Sequence, residues 1–204
     1  MIAILDYGMG NLHSVARAVD RVGGDPDVIE DAVSLRTATA LIVPGVGHFG
    51  TCMRALAERG FDRPLREFVE GGRPLFAVCL GMQVLFEGSD EGPEEGLGII
   101  PGRSRRLPPE VKVPHMGWND VEWVDSHVPH PYVAGVPSGT KFYFVHSFAP
   151  DVVPGTTIGV SRYGRPFSAA VAHGSVFATQ FHPEKSGDAG LRIYESFVKE
   201  ASST

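Results

Sequence analysis

Two short stretches of the chain carry the residue types that nucleophilic catalysis needs. In the first, Cys79 follows a short apolar run, with the small residues Ala77 and Gly81 on either side. A sharp strand-to-helix turn lifts the side chain of a nucleophile out of the sheet. The tight packing at such a turn requires small neighbouring residues. A helix beginning at this turn would direct backbone N–H groups at the sulfur and favour the thiolate. Cys79 is therefore a candidate nucleophile, although a free cysteine is more often a buried structural residue.

The second stretch is residues 179–186, TQFHPEKS. His182 falls at the end of an apolar strand, which is where α/β sheets place their sites, and Pro183 can turn Glu184 toward the imidazole. A cysteine nucleophile needs a histidine to take and return its proton, and that histidine needs an acceptor to set its tautomer. Cys79, His182 and Glu184 supply these three roles. A hydrogen-bonded structural histidine is the alternative for His182.

The other chemistry-bearing residues do not form a recognisable cofactor or metal site. The spacing of His127 and His130 could bracket a metal, but Pro129 lies between them and a third ligand is missing. Gly8 and Gly10 lack the third glycine and the lysine of phosphate-binding loops. We therefore expect no metal and no cofactor, and we interpret the following histidines as structural: His13, His48, His127, His130 and His173.

The first 86 residues alternate between apolar runs and amphipathic segments, the pattern of a parallel sheet covered by helices on both faces. Predicted strands are residues 2–5, 28–29, 41–43 and 75–79. Predicted helices are 12–19, 51–59, 65–70 and a segment from Gly81 with Met82, Leu85 and Phe86 on one face.

The second part of the chain is richer in strand patterns and turns, which indicates an antiparallel or mixed β section. Strands are expected at 121–124, 141–145, 158–160, 169–172 and 176–180, with a surface loop at 89–96 and a connector at 113–119. The basic stretch 103–106 is interpreted as a solvated strand face, with a contact to an acidic partner as the alternative. A final helix would bury Leu191, Tyr194, Phe197 and Val198. No repeat or long linker divides the chain, so we expect one domain over residues 1–204.

Composition narrows the function classes. The chain has 204 residues, 43% of them hydrophobic, and a formal net charge of −6, which argues against a non-specific nucleic-acid or anionic-membrane binder. Two cysteines without a CxxC pattern indicate a reducing compartment. We find no signal peptide and no apolar stretch of transmembrane length, so we expect a soluble, cytoplasmic protein.

The two catalytic stretches resemble those of class I glutamine amidotransferases that use a triad. The resemblance rests on residues 77–83 (AVCLGMQ) and 182–184 (HPE), and it narrows to the glutaminase subunits of imidazole glycerol phosphate synthase. The narrower likeness rests on residues 6–12 (DYGMGNL), 44–50 (PGVGHFG), 114–119 (PHMGWN), 143–148 (YFVHSF) and 182–186 (HPEKS). Ala77 stands where the family usually has glycine, and Phe148 stands where tyrosine is also common.

The resemblance implies a flavodoxin-like three-layer α/β sandwich that hydrolyses L-glutamine. Cys79 would attack the carboxamide, His182 would protonate the leaving ammonia, and water would release glutamate from a glutamyl thioester. Oxyanion donors would be the N–H of Leu80 and a backbone N–H of Val46 or Gly47; the glycines flanking Val46 leave its peptides free to rotate. The substrate's amino-acid end would be held by Gln83, Ser147 and Phe148.

The resemblance also implies a partner, a (β/α)₈-barrel cyclase that receives the ammonia and makes imidazole glycerol phosphate and aminoimidazole carboxamide ribonucleotide in histidine biosynthesis. The matching interface positions of the heterodimer would be Asn11, His115, Met116, Trp118, Tyr143 and Lys185. Exposed aromatic residues are common anchors of such interfaces.

Three alternatives stay open at this point. Another amidotransferase, serving purine or pyridoxal phosphate synthesis, would share the catalytic stretches. A cysteine peptidase or chaperone-like protein of similar fold would share the cysteine at the turn but does not account for His182 and Glu184. A silent binding module does not account for the presence of all three triad residue types.

Overall fold

The computed structural model describes residues 1–124 and 130–203. Within these ranges the strands are β1 Ile2–Leu5, β2 Pro26–Ile29, β3 Ala40–Gly45, β4 Leu75–Cys79, β5 Gly88–Ser89, β6 Arg103–Arg106, β7 His115–Trp123, β8 Thr140–His146, β9 Phe148–Pro150, β10 Thr157–Tyr163, β11 Arg165–His173 and β12 Val176–Thr179. The helices are α1 Leu12–Arg21, α2 Phe49–Glu58, α3 Asp62–Glu70, α4 Leu80–Gln83 and α5 Gly187–Ala201. None of the helices in the described parts of the chain is long and apolar enough to cross a bilayer.

The central sheet has a parallel part and an antiparallel part. Its strand order is β2-β1-β3-β4-β12-β11-β10-β7-β8. The strands from β2 to β12 in this order pair in parallel, and those from β12 to β8 pair antiparallel. This arrangement confirms the predicted α/β class with an additional antiparallel section.

Alternating side chains of β1 divide the core into two layers. Ile2 and Ile4 pack on the face covered by α1 and α5, whereas Ala3 and Leu5 pack on the face covered by α2 and α3. This two-residue period is the one that strand geometry imposes when both faces are buried. The result is the predicted three-layer sandwich, with the carboxyl ends of the parallel strands at one edge.

A small second sheet, β5-β6-β9, lies beside the central one. The basic stretch 103–106 forms strand β6 as predicted, and Arg105 pairs with Asp90 and Asp151, each at 3.2 Å. The predicted loop 89–96 differs at its start, because Ser89 belongs to β5 and is fully buried.

Most predicted elements differ from the observed ones in their bounds, and two of these differences follow directly from backbone pairing. The helix after Cys79 ends at Gln83, because the carbonyls of Val84 and Leu85 accept hydrogen bonds from the backbone of residues 97–100 rather than from a continuing helix. The predicted connector 113–119 is already strand from His115 onward, since β7 pairs with β8 from His115 to Val121.

Candidate active site

Cys79 occupies a strained turn between β4 and α4. Its backbone has φ 55° and ψ −111°, and it is the only non-glycine residue with positive φ in the described ranges. Such conformations are costly for residues with a Cβ atom and cluster at functional sites. The turn lies at the carboxyl end of a central parallel strand, which is the position predicted for the nucleophile.

Two glycines allow this turn to pack against the end of β3. A Cβ atom on Gly81 would lie 2.0 Å from the carbonyl oxygen of Val43, and one on Gly45 would lie 2.4 Å from the backbone nitrogen of Gly81. Neither position can therefore hold a larger residue without moving the backbone. Ala77, in contrast, fits fully buried within β4.

His182 lies just beyond β12, and hydrogen bonds hold both its side chain and its backbone. Its Nδ1 lies 2.8 Å from Oε1 of Glu184, its backbone nitrogen donates to the carbonyl of Tyr143 at 2.9 Å, and its carbonyl accepts from Oγ of Ser186 at 2.6 Å. The side chains of His182 and Glu184 are only 3% and 1% exposed. The imidazole is therefore fixed in orientation, as the histidine of a triad must be.

The electrostatics favour a charged imidazole. Burial alone would lower the pKa of His182, but the sulfur of Cys79 and the carboxylate of Glu184 outweigh burial and raise that pKa to about 10. Its Nε2 atom is buried and has no hydrogen-bond partner among the described residues. This nitrogen is available to exchange a proton with a reacting group.

A pocket of about 250 Å³ brings most of the predicted site residues together. Its lining includes the residues predicted as nucleophile, base, oxyanion donors and substrate contacts: Cys79, His182, Leu80, Val46, Gly47, Gln83, Ser147 and Phe148. Glu184 is outside this lining and contacts the pocket through His182. Residues from distant parts of the chain thus surround one cysteine sulfur.

A glutamine in contact with Cys79, outside the pocket lining, was not predicted from the sequence. Gln180 is fully buried, and its Nε2 donates to the sulfur of Cys79 at 3.6 Å. Its Oε1 accepts from Nε2 of Gln83 at 2.9 Å, and the same Gln83 nitrogen donates to the carbonyl of Phe148 at 2.9 Å. The amide nitrogen of Gln83 is thus engaged within the protein. The Oε1 atom of Gln83 is buried and has no hydrogen-bond partner among the described residues.

Comparison with known proteins decides the family. The sequence pattern described as "Glutamine amidotransferase class-I" matches residues 3–201. The chain belongs to the class-I glutamine amidotransferase family. A crystal structure of a glutamine amidotransferase is similar to it with a TM-score of 0.77 at 23% identity, covering 98% of both chains, a likeness that shows the fold.

The chain is also similar to named subunits within this amidotransferase family. "Imidazole glycerol phosphate synthase subunit HisH" of Moorella thermoacetica is 45% identical over 202 residues, covering 96% of this chain and 93% of that protein. The subunit of the same name from Rhodopirellula baltica is 45% identical, with 97% of each chain covered. These likenesses confirm the narrower resemblance found in the sequence and leave the peptidase and silent-module alternatives without support.

Four of the six predicted interface residues of this amidotransferase form one surface. Met116 and Trp118 are 63% and 56% exposed on β7. Tyr143 lies opposite Trp118 on β8, with ring centroids 6.3 Å apart, and Nζ of Lys185 is 5.9 Å from the centroid of the Tyr143 ring. The exposed Trp118 beside the half-buried Tyr143 and a lysine is a suitable anchor for a protein partner.

The other two predicted interface residues are engaged within the amidotransferase itself. Oδ1 of Asn11 caps α1 by accepting from the backbone nitrogen of Ser14 at 3.3 Å. His115 is only 4% exposed, and its Nδ1 lies 3.1 Å from Nε2 of His146. Their assignment to the interface stays a prediction. His127, considered above for a metal, lies outside the described residues.

The second cysteine lies on α2, away from the pocket lining. Cys52 is fully buried, its Sγ donates to the carbonyl of Val46 at 3.9 Å, and burial raises the pKa of its thiol to about 12. A thiol that stays protonated at neutral pH is a poor nucleophile. Cys52 therefore has the features of a structural cysteine.

Proposed function

We propose that the chain hydrolyses L-glutamine to glutamate and ammonia, with Cys79 as nucleophile, His182 as acid and base, and Glu184 as the group that orients His182. The observation that carries this proposal is the strained Cys79 turn, which opens onto a pocket that is also lined by His182, the partner of the buried Glu184. A single amidotransferase domain over residues 1–204 would supply the whole site.

The reaction would proceed in two stages. Sγ of Cys79 attacks the carboxamide carbon, and His182 delivers a proton from Nε2 to the departing ammonia. The glutamyl thioester that remains is hydrolysed by a water from which His182 takes a proton, and glutamate leaves. The N–H of Leu80 and a backbone N–H of Val46 or Gly47 would stabilise the oxyanion in both stages, because these segments line the pocket around the sulfur.

Substrate binding would rest on the free Oε1 of Gln83 and on the backbone around Ser147 and Phe148. A carbonyl-type oxygen suits the ammonium group of an amino acid, which only donates hydrogen bonds. This assignment gives Gln83 and the 147–148 segment the amino-acid end of glutamine and leaves the carboxamide at Cys79.

We further propose that ammonia passes to a barrel cyclase subunit of imidazole glycerol phosphate synthase, in the cytoplasm. The 45% identical relatives carry the name of a subunit of that synthase. The surface formed by Met116, Trp118, Tyr143 and Lys185 would dock the cyclase, with Asn11 and His115 at or behind its edge.

The test compares the two cysteines in the complex with the cyclase of the same organism. Cys79→Ala should abolish glutamine-dependent synthesis and leave synthesis from added ammonium salt intact. Cys52→Ser is the matched control and should keep glutamine-dependent activity, because this thiol lies outside the pocket. Glutaminase turnover at the unmodified level in Cys79→Ala would exclude the mechanism.

A further inference from the structure

A pair of buried histidines lies behind one wall of the pocket and has no role in the proposed chemistry. Nδ1 of His115 is 3.1 Å from Nε2 of His146, and Nδ1 of His146 is 3.0 Å from the carbonyl oxygen of Phe148. His146 touches the pocket, whereas His115 does not line it. At its other end, Nε2 of His115 lies 3.4 Å from Nδ2 of Asn119.

The carbonyl of Phe148, at one end of this chain of hydrogen bonds, determines which nitrogen of each neutral ring carries the proton. A carbonyl oxygen only accepts, so Nδ1 of His146 must carry the proton. A neutral His146 then has an accepting Nε2, which requires His115 to donate from its own Nδ1. Nε2 of His115 is left as an acceptor, which matches the amide nitrogen of Asn119.

The surroundings keep both rings neutral and in place. Burial lowers the pKa of His115 to about 4 and the pKa of His146 to about 3. The ring of His115 stacks on Tyr163 with centroids 4.0 Å apart and on Phe144 at 5.1 Å. Both rings must be neutral for each to accept one hydrogen bond and donate another, because a protonated imidazole has no accepting nitrogen.

The carbonyl of Phe148 is held from two sides. It accepts from Nδ1 of His146 at 3.0 Å and from Nε2 of Gln83 at 2.9 Å, which uses both of its lone pairs. Phe148 and Ser147 form the part of the wall to which we assign the amino-acid end of glutamine. Losing either donor would leave a buried acceptor only partly satisfied and would release this wall.

We propose that His115 and His146 are positioning residues, which hold the Phe148 carbonyl and so set the glutamine-binding wall of the pocket. The inference rests on the proposed function. Because it concerns the wall and not the reacting atoms, its loss should weaken glutamine binding and leave the chemical step nearly unchanged. One lost hydrogen bond should weaken binding roughly three- to tenfold.

The first experiment measures the Kd for glutamine by calorimetry in the Cys79→Ala chain, where no turnover interferes. His146→Leu removes the donor to Phe148, and His115→Phe keeps a stacking ring but removes both nitrogens. Both should raise Kd roughly three- to tenfold. His146→Asn, whose amide can donate from the place of Nδ1, should stay within about twofold of the parent. His130→Leu is the control, since His130 stacks on Phe177 outside this pocket.

A purely structural role would give a different result. The melting temperature would fall while Kd stayed unchanged in His115→Phe and His146→Leu, and that outcome would overturn the proposal. If the Cys79→Ala parent itself binds no glutamine, the proposed substrate is refuted instead. The second experiment would then test the role of the histidine pair by itself.

The second experiment reads the tautomers directly by ¹⁵N NMR of labelled histidine. We expect His146 as the Nδ1–H form, and we expect His115→Phe to shift it toward the Nε2–H form because its Nε2 loses the donor. An Nε2–H signal for His146 in the unmodified chain would overturn the proposal, since Phe148 would then receive no hydrogen bond from it. This readout needs neither glutamine nor a partner.

Discussion

Replacing Glu184 by glutamine tests the orienting role with the smallest change in shape. Oε1 of Glu184 lies 2.8 Å from Nδ1 of His182, and the two side chains are 1% and 3% exposed, so water does not screen their interaction. Glutamine keeps the length and volume of the side chain but removes its charge. The imidazolium then loses its counter-charge, and the ring faces an amide that can donate as well as accept, so its tautomer is no longer selected.

The size of the effect follows from Coulomb's law. Two unit charges about 4 Å apart attract by about 4 kcal/mol at an effective dielectric constant near 20. Since each 1.36 kcal/mol of barrier is a factor of about ten, kcat should fall by roughly a thousandfold. This value lies within the range of about 10²–10⁴ expected when the orienting group of a triad is removed.

The assay is steady-state glutamine hydrolysis by the complex with the cyclase, with kcat and KM determined separately. KM should change little, because Glu184 is not part of the pocket lining. Glu67→Gln is the control, since it breaks an exposed pair with Arg63 on α3 that contributes at most about 1 kcal/mol. A Glu184→Gln enzyme within a few-fold of the parent kcat would refute the orienting role.

Three further predictions concern the turn, the proton and the oxyanion segment. Gly81→Ala would place a Cβ 2.0 Å from the Val43 carbonyl, so thermal unfolding should show a melting temperature lower by about 5 °C or more. The pKa of His182 is raised to about 10 from an ordinary 6.5, so the stability that this proton contributes is complete below pH 6.5 and is lost as pH rises toward 10. Melting temperatures measured across that range should decline, and Cys79→Ala should flatten the decline, because the sulfur charge supports the proton. Gly47 has φ +106°, so Gly47→Ala should favour a different peptide orientation and change the basal glutaminase rate of the isolated chain, measured against the rate in the complex; an unaltered rate in both would exclude control through this peptide.

The sequence predicted those parts of the site that depend on local geometry. The small residues around Cys79 and the position of His182 after an apolar strand were sufficient to place both at strand ends. That these strands, β4 and β12, are parallel neighbours is known from the structure. Strand position was predictable because apolar runs and turn residues alternate clearly along the chain. The family resemblance then supplied the positions of Gln83, Ser147 and Phe148 in the pocket.

Residues whose roles come from long-range contacts could not be predicted in this way. Gln180 contacts Cys79 across 101 positions of sequence and Gln83 across 97, and a glutamine inside a strand pattern carries no local signal of such contacts. Long-range contacts also set the length of α4. The backbone N–H groups of residues 97–100 donate to carbonyls that would accept hydrogen bonds within a longer helix. Tertiary pairing, and not helix propensity, ends this segment.

The glycines around Val46 show how one residue type can serve two physical purposes. The sequence suggested that both leave the neighbouring peptides free to rotate, yet Gly45 is buried, and a Cβ there would meet the Gly81 nitrogen at 2.4 Å. Gly45 is therefore required by the close approach of the nucleophile turn to β3. Only Gly47 has the positive φ that favours glycine, and the Val46 carbonyl before it is engaged by the Cys52 thiol at 3.9 Å. Reorientation of the Val46–Gly47 peptide would have to break this weak contact but would leave the packing of Gly45 intact. In the proposed oxyanion segment, the peptide free to reorient is therefore Val46–Gly47 and not the one at Gly45.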